Sequence, residues 1–276
     1  MRGKEFAPPV TIDTGGGSGI GRAISAELAR RGSHVVVADL DGGRAEEVAA
    51  GLGDRGSAAE VDVVDAEAVR KLVATTTERH GRLDVMVNNA GVAIGGLLEE
   101  LDERHWQRAI DVNLRGVVNG VSAAYPVMSA QRSGHILNTA SLAGLIPAPA
   151  MLPYTTTKHA VVGLSTALRA EAASLGVRVS VLCPAFVDTP LLDEVYAAPA
   201  SFGGGTSVRS RVRLVQPRFL TPEVVATRAV DGLAANKAVI PVGWLAHTLW
   251  RVNRFAPAVA RGLVQAQVGA HRRLSR

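Results

Sequence analysis

The sequence predicts an α/β fold built on a doubly wound parallel sheet, and three observations carry that prediction. Short apolar runs alternate with longer amphipathic segments between residues 10 and 242, the pattern of strand–helix–strand units. A glycine-rich string at 15–21 stands between the first apolar run and the first amphipathic one. The 276 residues are 47% hydrophobic, enough to build one large core.

Residues 10–12 are expected to form the first strand and 19–31 a helix, with Ile20, Ile24 and Leu28 along one face. A second strand follows at 34–38, a helix at 45–52, a short strand at 58–61 and a helix at 66–79. Residues 85–87 form a strand that runs into Asn88, Asn89, Ala90 and Gly91. A long helical stretch covers 102–125. A strand at 136–139 ends near Ser141, and a second long helix at 154–175 leads to a strand at 177–182. Residues 187–216 read as irregular, rich in Gly and Ala. A helix at 222–235 and a strand at 238–242 complete the alternation. With no internal repeat and no dividing linker, 10–243 reads as one domain, with a leader at 1–9 and an extension at 244–276.

Charge and cysteine content narrow the function classes. The net charge is +5, but six arginines and no Lys, Asp or Glu lie in 244–276. The preceding residues carry 24 basic and 25 acidic groups, a net of −1, so no nucleic-acid partner is expected. A single cysteine, Cys183, excludes an internal disulfide and suits a reducing, cytoplasmic location. The leader has no apolar core of a secretory signal, and no apolar run approaches the length of a bilayer span. The histidines are scattered without metal-ligand spacing, so no metal is expected.

The string Thr14-Gly15-Gly16-Gly17-Ser18-Gly19-Ile20-Gly21 follows the first strand and opens a helix at once. Glycines let the backbone turn sharply and approach a pyrophosphate, and the helix N-terminus offers free N–H groups to it. An acid, Asp39, closes the second strand, 18 residues after Gly21. There a carboxylate can accept the ribose hydroxyls of NAD and repel the 2′-phosphate of NADP. Ser18 is neutral and no basic residue follows Asp39 before Arg44, so NAD is expected over NADP. Asp62 and Val63, past the third strand, are placed to contact adenine.

Further motifs follow in order: Asn88-Asn89-Ala90-Gly91, Asn113, Ser141, Tyr154-Thr155-Thr156-Thr157-Lys158, and Pro184 through Thr189. With the glycine-rich turn and Asp39, this set resembles the short-chain dehydrogenase/reductase family, over about residues 10 to 243. The resemblance implies a Rossmann-type sheet of about seven strands flanked by helices. It implies cofactor contacts from Gly15, Gly17, Ser18, Gly19, Ile20, Gly21, Asp39, Asp62, Val63, Asn89, Ala90, Gly91, Tyr154, Lys158, Pro184, Val187 and Thr189, and a homo-oligomer. Two departures stand out: Ala185 where the family usually has Gly, and Asp13 where an apolar strand residue is commoner.

Tyr154 and Lys158 are four apart on a helix and so share a face. A free phenol, with a pKa near 10, is a poor base at neutral pH. The Lys158 ammonium is expected to lower it, making Tyr154 the acid/base of an alcohol–ketone interconversion. Ser141 would hydrogen-bond the same substrate oxygen. By the family resemblance, Asn113 holds a water that relays protons to Lys158. Cys183 reads as a buried small hydrophobe.

Substrate choice in such folds belongs to loops at the carboxyl ends of the strands. A lid over 191–216, with Leu191, Leu192, Val195, Tyr196 and Phe202, faces a wall of Ser141, Leu142, Leu145, Ile146, Met151, Leu152 and Tyr154. These apolar anchors suggest a steroid- or terpenoid-like small molecule. Arg209, Arg211, Arg213 and Arg218 leave open a 3-oxoacyl thioester reductase, and the turn alone would suit a catalytically silent NAD-binding sensor or scaffold. The tail reads as two basic amphipathic helices, one with an apolar stripe of Leu245, Leu249, Val252 and Phe255 or Ala256, the next starting at Pro257. Packing on protein is expected there over peripheral membrane contact.

Overall fold

The computed structural model describes residues 9–193, 196–197 and 208–274. The chain runs β1 (Val10–Thr14), α1 (Gly19–Arg30), β2 (His34–Asp39), α2 (Gly42–Gly51), β3 (Gly56–Glu60), α3 (Ala66–His80), β4 (Val85–Asn88) and β5 (Ile94–Gly95). Then come α4 (Glu103–Ile110), α5 (Gly116–Gln131), β6 (Gly134–Thr139), α6 (Leu152–Ala172), β7 (Val177–Pro184) and β8 (Tyr196–Ala197). It ends in α7 (Val208–Val215), α8 (Pro222–Ala234), β9 (Val239–Val242), α9 (Trp244–Phe255) and α10 (Pro257–Leu274).

Seven strands form one parallel sheet in the order β3-β2-β1-β4-β6-β7-β9, the Rossmann-type architecture expected. In register, Ile12 of β1 lies opposite Val36 of β2 and Met86 of β4. The chain winds from β1 outward to β3, then returns to β4 on the other side of β1. That reversal opens a crevice at the carboxyl ends of β1 and β4.

Alternation along the strands buries both faces. Ile12, Val36, Met86, Ile136 and Val179 pack with Leu72 of α3 and Val121 of α5. Val35, Val37, Val85, Leu137 and Leu182 pack with Ile24 and Leu28 of α1 and Leu233 of α8. Each such side chain contributes about 1.5–3 kcal/mol on burial.

Three expectations change. The helical stretch expected at 102–125 is α4, a π-helical turn Asp111–Arg115, and α5, which continues through Pro126 to Gln131. The bond lost at Pro126 is outweighed beyond it. Met128 is fully buried there, and the Gln131 amide brackets Leu83, accepting its N–H at 2.9 Å and donating to its carbonyl at 2.8 Å. The irregular 187–216 contains α7 and the short β8, which pairs with β5. Phe255 leaves the buried stripe of the tail and is 79% exposed, while Leu245 is buried.

Candidate active site

The crevice is built from the turn after β1. The Thr14 hydroxyl donates to the Val87 carbonyl (3.1 Å) and accepts the Asn89 N–H (3.2 Å), joining the ends of β1 and β4. Gly15 follows with φ +68°, and a Cβ there would lie 2.7 Å from the Ala90 backbone. Only glycine suits this backbone and its spacing. The Asn89 amide donates to the Gly15 carbonyl at 3.2 Å, so Asn89, Ala90 and Gly91 form the facing lip. At the start of α1, Ser18 caps the helix without a side-chain bond and the first turn carries no acid. Its N–H groups and positive dipole end therefore suit an anion, and the arrangement fits a dinucleotide pyrophosphate. A cleft of about 790 Å³ runs from Gly17, Ser18 and Gly19 along α1, past Ala23 and Glu27, to Pro222 and Ala226 of α8.

Asp39 is half-buried at the end of β2. Its Oδ2 accepts the Gly17 N–H (2.9 Å) and its Oδ1 the Asp41 N–H (3.1 Å). Each oxygen keeps a lone pair for a ribose hydroxyl. Asp62 accepts the Val64 N–H at 2.9 Å, and the Val63 carbonyl accepts from Asn119 at 2.8 Å. Arg44, the first basic residue after Asp39, folds back to the turn: a Cβ on Gly17 would lie 2.9 Å from both the Arg44 Cβ and Asp39 Oδ2. Its guanidinium pairs with Asp41 at 3.2 Å.

Behind the turn, Asp13 is fully buried in the central strand. The Ser25 hydroxyl donates to its Oδ2 at 2.8 Å, but Oδ1 has no partner. Burial lifts the carboxyl well above the usual range, only partly opposed by Ser25.

Ser141 lies just past β6, and Tyr154 and Lys158 on α6. The Tyr154 phenol lies within the influence of Ser141, whose Oγ accepts the Ala143 N–H at 3.1 Å. Lys158 Nζ donates to the Thr139 carbonyl at 2.9 Å and lies 5.5 Å from the Tyr154 ring centroid. Burial decides both titrations: it raises the Tyr154 phenol, offset in part by Ser141, and presses the Lys158 ammonium down to about 8. The expected lowering of the phenol is therefore reversed in the protein by itself. Cys183 stands beside this group, and burial pushes its thiol up to about 12, so it is inert.

Asn113 sits in the π-helical turn. Its amide brackets Val92, accepting the N–H at 2.8 Å and donating to the carbonyl at 2.9 Å. A Cβ on Gly91 would come within 3.1 Å of Asn113 Oδ1 and 3.5 Å of Lys158 Nζ, so Gly91 keeps the space between them open. Of two further positioning residues, Asn88 entered the sequence argument only as part of a motif and Asn138 escaped it. Asn88 donates to Asn138 (2.8 Å) and Asn138 to Ser165 (2.9 Å), a buried chain that ties α6 to the sheet. An amide inside an otherwise apolar strand was the only signal of Asn138.

The wall expected for substrate is partly core. Leu142 is buried with Ala185, Leu245 and Ala246, with Ile146 and Leu249 packed alongside. Leu145 is buried too, and its carbonyl accepts from Asn253 of α9 at 3.0 Å. The extension thus covers this wall. Met151 and Leu152 open α6 at its N-terminal end; before them Ala150 adopts φ +58° and its carbonyl accepts the Gly96 N–H at 2.7 Å. Ala185 has no positive φ, and its N–H donates to the Val242 carbonyl at 3.0 Å, so the turn does not need the usual glycine. Pro184 closes β7, and Val187 is buried beyond it.

Leu191 and Leu192 are half-buried in the 3₁₀ turn Pro190–Leu192. The backbone at Tyr196 pairs opposite Ile94; its side chain, together with Val195 and Phe202, lies outside the described residues, as does the leader before Pro9. Arg209 of α7 is not a free cation. It pairs with Asp188, with Asp193 (2.6 and 2.8 Å) and with the Thr189 carbonyl (3.0 Å). Arg209 and Arg213 both stack on Phe219, at 5.9 and 5.8 Å. Thr189 in turn meets Gly19, whose added Cβ would lie 3.1 Å from its methyl, so α7 is linked to the cofactor crevice.

Residues 9–200 match the family model described as short chain dehydrogenase. The chain is 32% identical over 274 residues to a "probable oxidoreductase EphD" of Mycobacterium tuberculosis, covering 95% of this chain but 46% of that protein, so it spans about half the length of that relative. It is 39% identical over 203 residues to a 1-deoxy-11-beta-hydroxypentalenate dehydrogenase of Streptomyces exfoliatus, covering 71% of this chain and 74% of that one. The crystal structure of a short chain dehydrogenase/reductase from Burkholderia phymatum in complex with NAD superposes with a TM-score of 0.82 at 32% identity, over 93% of this chain and 96% of that one. With the sheet order and the ordered motifs, these matches place the chain in the short-chain dehydrogenase/reductase family.

Proposed function

We propose that the protein interconverts a secondary alcohol and a ketone on a fairly apolar, steroid- or terpenoid-like small molecule, with NAD(H) as cofactor. The observation that carries this reading is the buried grouping of Tyr154 with Ser141, and with Lys158 one helical turn away and 5.5 Å from the Tyr154 ring, beside the glycine-lined crevice. When bound, the nicotinamide supplies the hydride acceptor or, reduced, the hydride. Gly15, Gly17, Gly19, Ile20 and Gly21 would hold its pyrophosphate and Asp39 its ribose.

Tyr154 and Ser141 both bond the substrate oxygen. In oxidation Tyr154 takes the alcohol proton; in reduction it returns a proton to the carbonyl oxygen. Burial keeps the phenol protonated, so it carries the proton that reduction needs, and Lys158, charged below about pH 8, supports the phenolate when the proton leaves. Asn113, across the space beside Gly91, would hold the water that carries the proton outward. The name of the Streptomyces relative, a hydroxypentalenate dehydrogenase, supports a hydroxyl-bearing substrate. The thioester reading loses support because Arg209 is already paired. An oligomer through the long helices belongs to the same proposal; Val118 stands exposed on α5.

The test is turnover of a panel of secondary alcohols with NAD and of ketones with NADH. Tyr154→Phe is expected to lower kcat/KM by about 10²–10⁴-fold while NADH still binds by fluorescence. No turnover across the panel, or a fully active variant, removes the proposal. Asp39→Ser, which leaves Arg44 beside the ribose, is expected to shift the NAD-to-NADP ratio of kcat/KM about tenfold toward NADP.

A further inference from the structure

Helix α9 has two contrasting faces. Its inner face, Leu245, Ala246 and Leu249, closes over Leu142 and Ala185. Along its outer face Trp244, Thr248, Arg251 and Phe255 recur at steps of four, three and four residues, one stripe about 60° wide by helical geometry. Trp244 is 65% exposed and Phe255 79%, at opposite ends of the helix, about 16 Å apart along its axis. Arg251 stands between them and Arg254 flanks the stripe; α10 continues with exposed Val259 and Arg261. No Asp or Glu occurs in 244–276, against six Arg.

Aromatic rings framed by arginines suit the boundary of an anionic membrane, where the ring enters the headgroup region and the guanidinium meets phosphate. A second copy fits less well. A two-fold contact of this stripe with itself would bring Arg251 and Arg254 of both copies together with no carboxylate on the extension to neutralise them. Among the described residues no helix is long and apolar enough to cross a membrane, so contact would be peripheral.

We propose that the outer face of α9, continued by α10, docks on an anionic lipid surface through Trp244, Phe255 and the arginines around them. The candidate substrate wall then lies one helix, about 10 Å, from lipid, the phase in which an apolar substrate concentrates. Only this supply of substrate rests on the catalytic reading; the docking stands without it.

The test is co-sedimentation of the full chain with vesicles of equal phosphatidylglycerol and phosphatidylcholine, against phosphatidylcholine alone. Binding to the anionic vesicles is expected, with a blue shift of tryptophan emission that Trp244→Ala removes. Neutralising Arg251, Arg254 and Arg261 to Gln is expected to weaken partitioning roughly hundredfold. Equal binding to both vesicles, or indifference to these substitutions, overturns the proposal. So does light scattering in which Trp244→Ala with Phe255→Ala turns a dimer into a monomer while vesicles stay unbound, which would make the stripe a subunit contact. Turnover of a water-soluble alcohol separates the two readings: vesicle binding without turnover fails the catalytic reading alone, and turnover without vesicle binding fails the docking alone.

Discussion

Tyr154 and Lys158 were legible because helical spacing puts them on one face and the Gly15–Gly21 turn, Asn113 and Ser141 arrive in order before them. The direction in which burial moves them was not, because desolvation depends on everything packed around a group. Asp13 was legible as an oddity, and the structure shows its cost: one oxygen is bonded to Ser25 and the other to nothing. Its folded pKa lies above the ordinary 3.8, so the folded chain holds this proton more tightly than the unfolded one. Stability is therefore lost as pH rises from about 4 through the folded value and stays lost above it. Asp13→Val is expected to raise stability at pH 7 by about 1–3 kcal/mol, with a smaller gain in acid. Thermal melts at both pH values check this; a variant less stable at pH 7 would count against it.

At the scale of elements, periodicity marked helix and strand type well and helix ends poorly. The stop expected before Pro126 failed because burial of Met128 lies beyond the proline. Asn113 was flagged by motif order, but not the π-helical turn that aims it. Helix α7 was hidden because Gly and Ala upstream set the character of the segment, whereas Arg209 organises it through partners distant in sequence. Arg209 holds the Thr189 carbonyl, and Thr189 meets Gly19, so the proposed cofactor role gives Arg209 a positioning part. Arg209→Gln is expected to raise the KM for NAD about three- to fivefold with kcat little changed, and Arg209→Lys to do less. Steady-state kinetics with varied NAD measures this, and an unchanged KM would leave α7 with no such role.

Across the whole molecule, strand alternation announced the doubly wound sheet, but how its edge elements are locked needed coordinates. His135, buried on β6, bonds Ser180 of β7 at 2.8 Å, and the Ser180 hydroxyl donates to the Lys237 carbonyl before β9 at 2.5 Å. That hydroxyl spends its one proton on Lys237, so the ring is the donor and its Nδ1 has no partner. Burial, with Arg178 and Arg169 nearby, lowers this imidazole to about 3. Between about pH 6.5 and 3 the unfolded chain binds a proton here that the folded chain does not, so stability falls as pH falls through that window. His135→Gln is expected to flatten the loss by up to about 1.4 kcal/mol per pH unit, read from denaturant midpoints at pH 4, 5 and 6; an unchanged slope would assign the loss to other groups. The strand order has a consequence for synthesis. β2 and β3 add to one side of β1, and β4, β6, β7 and β9 add in turn to the other. Each strand that leaves the ribosome meets an edge already in place, so no nascent strand has to wedge between two that are already paired.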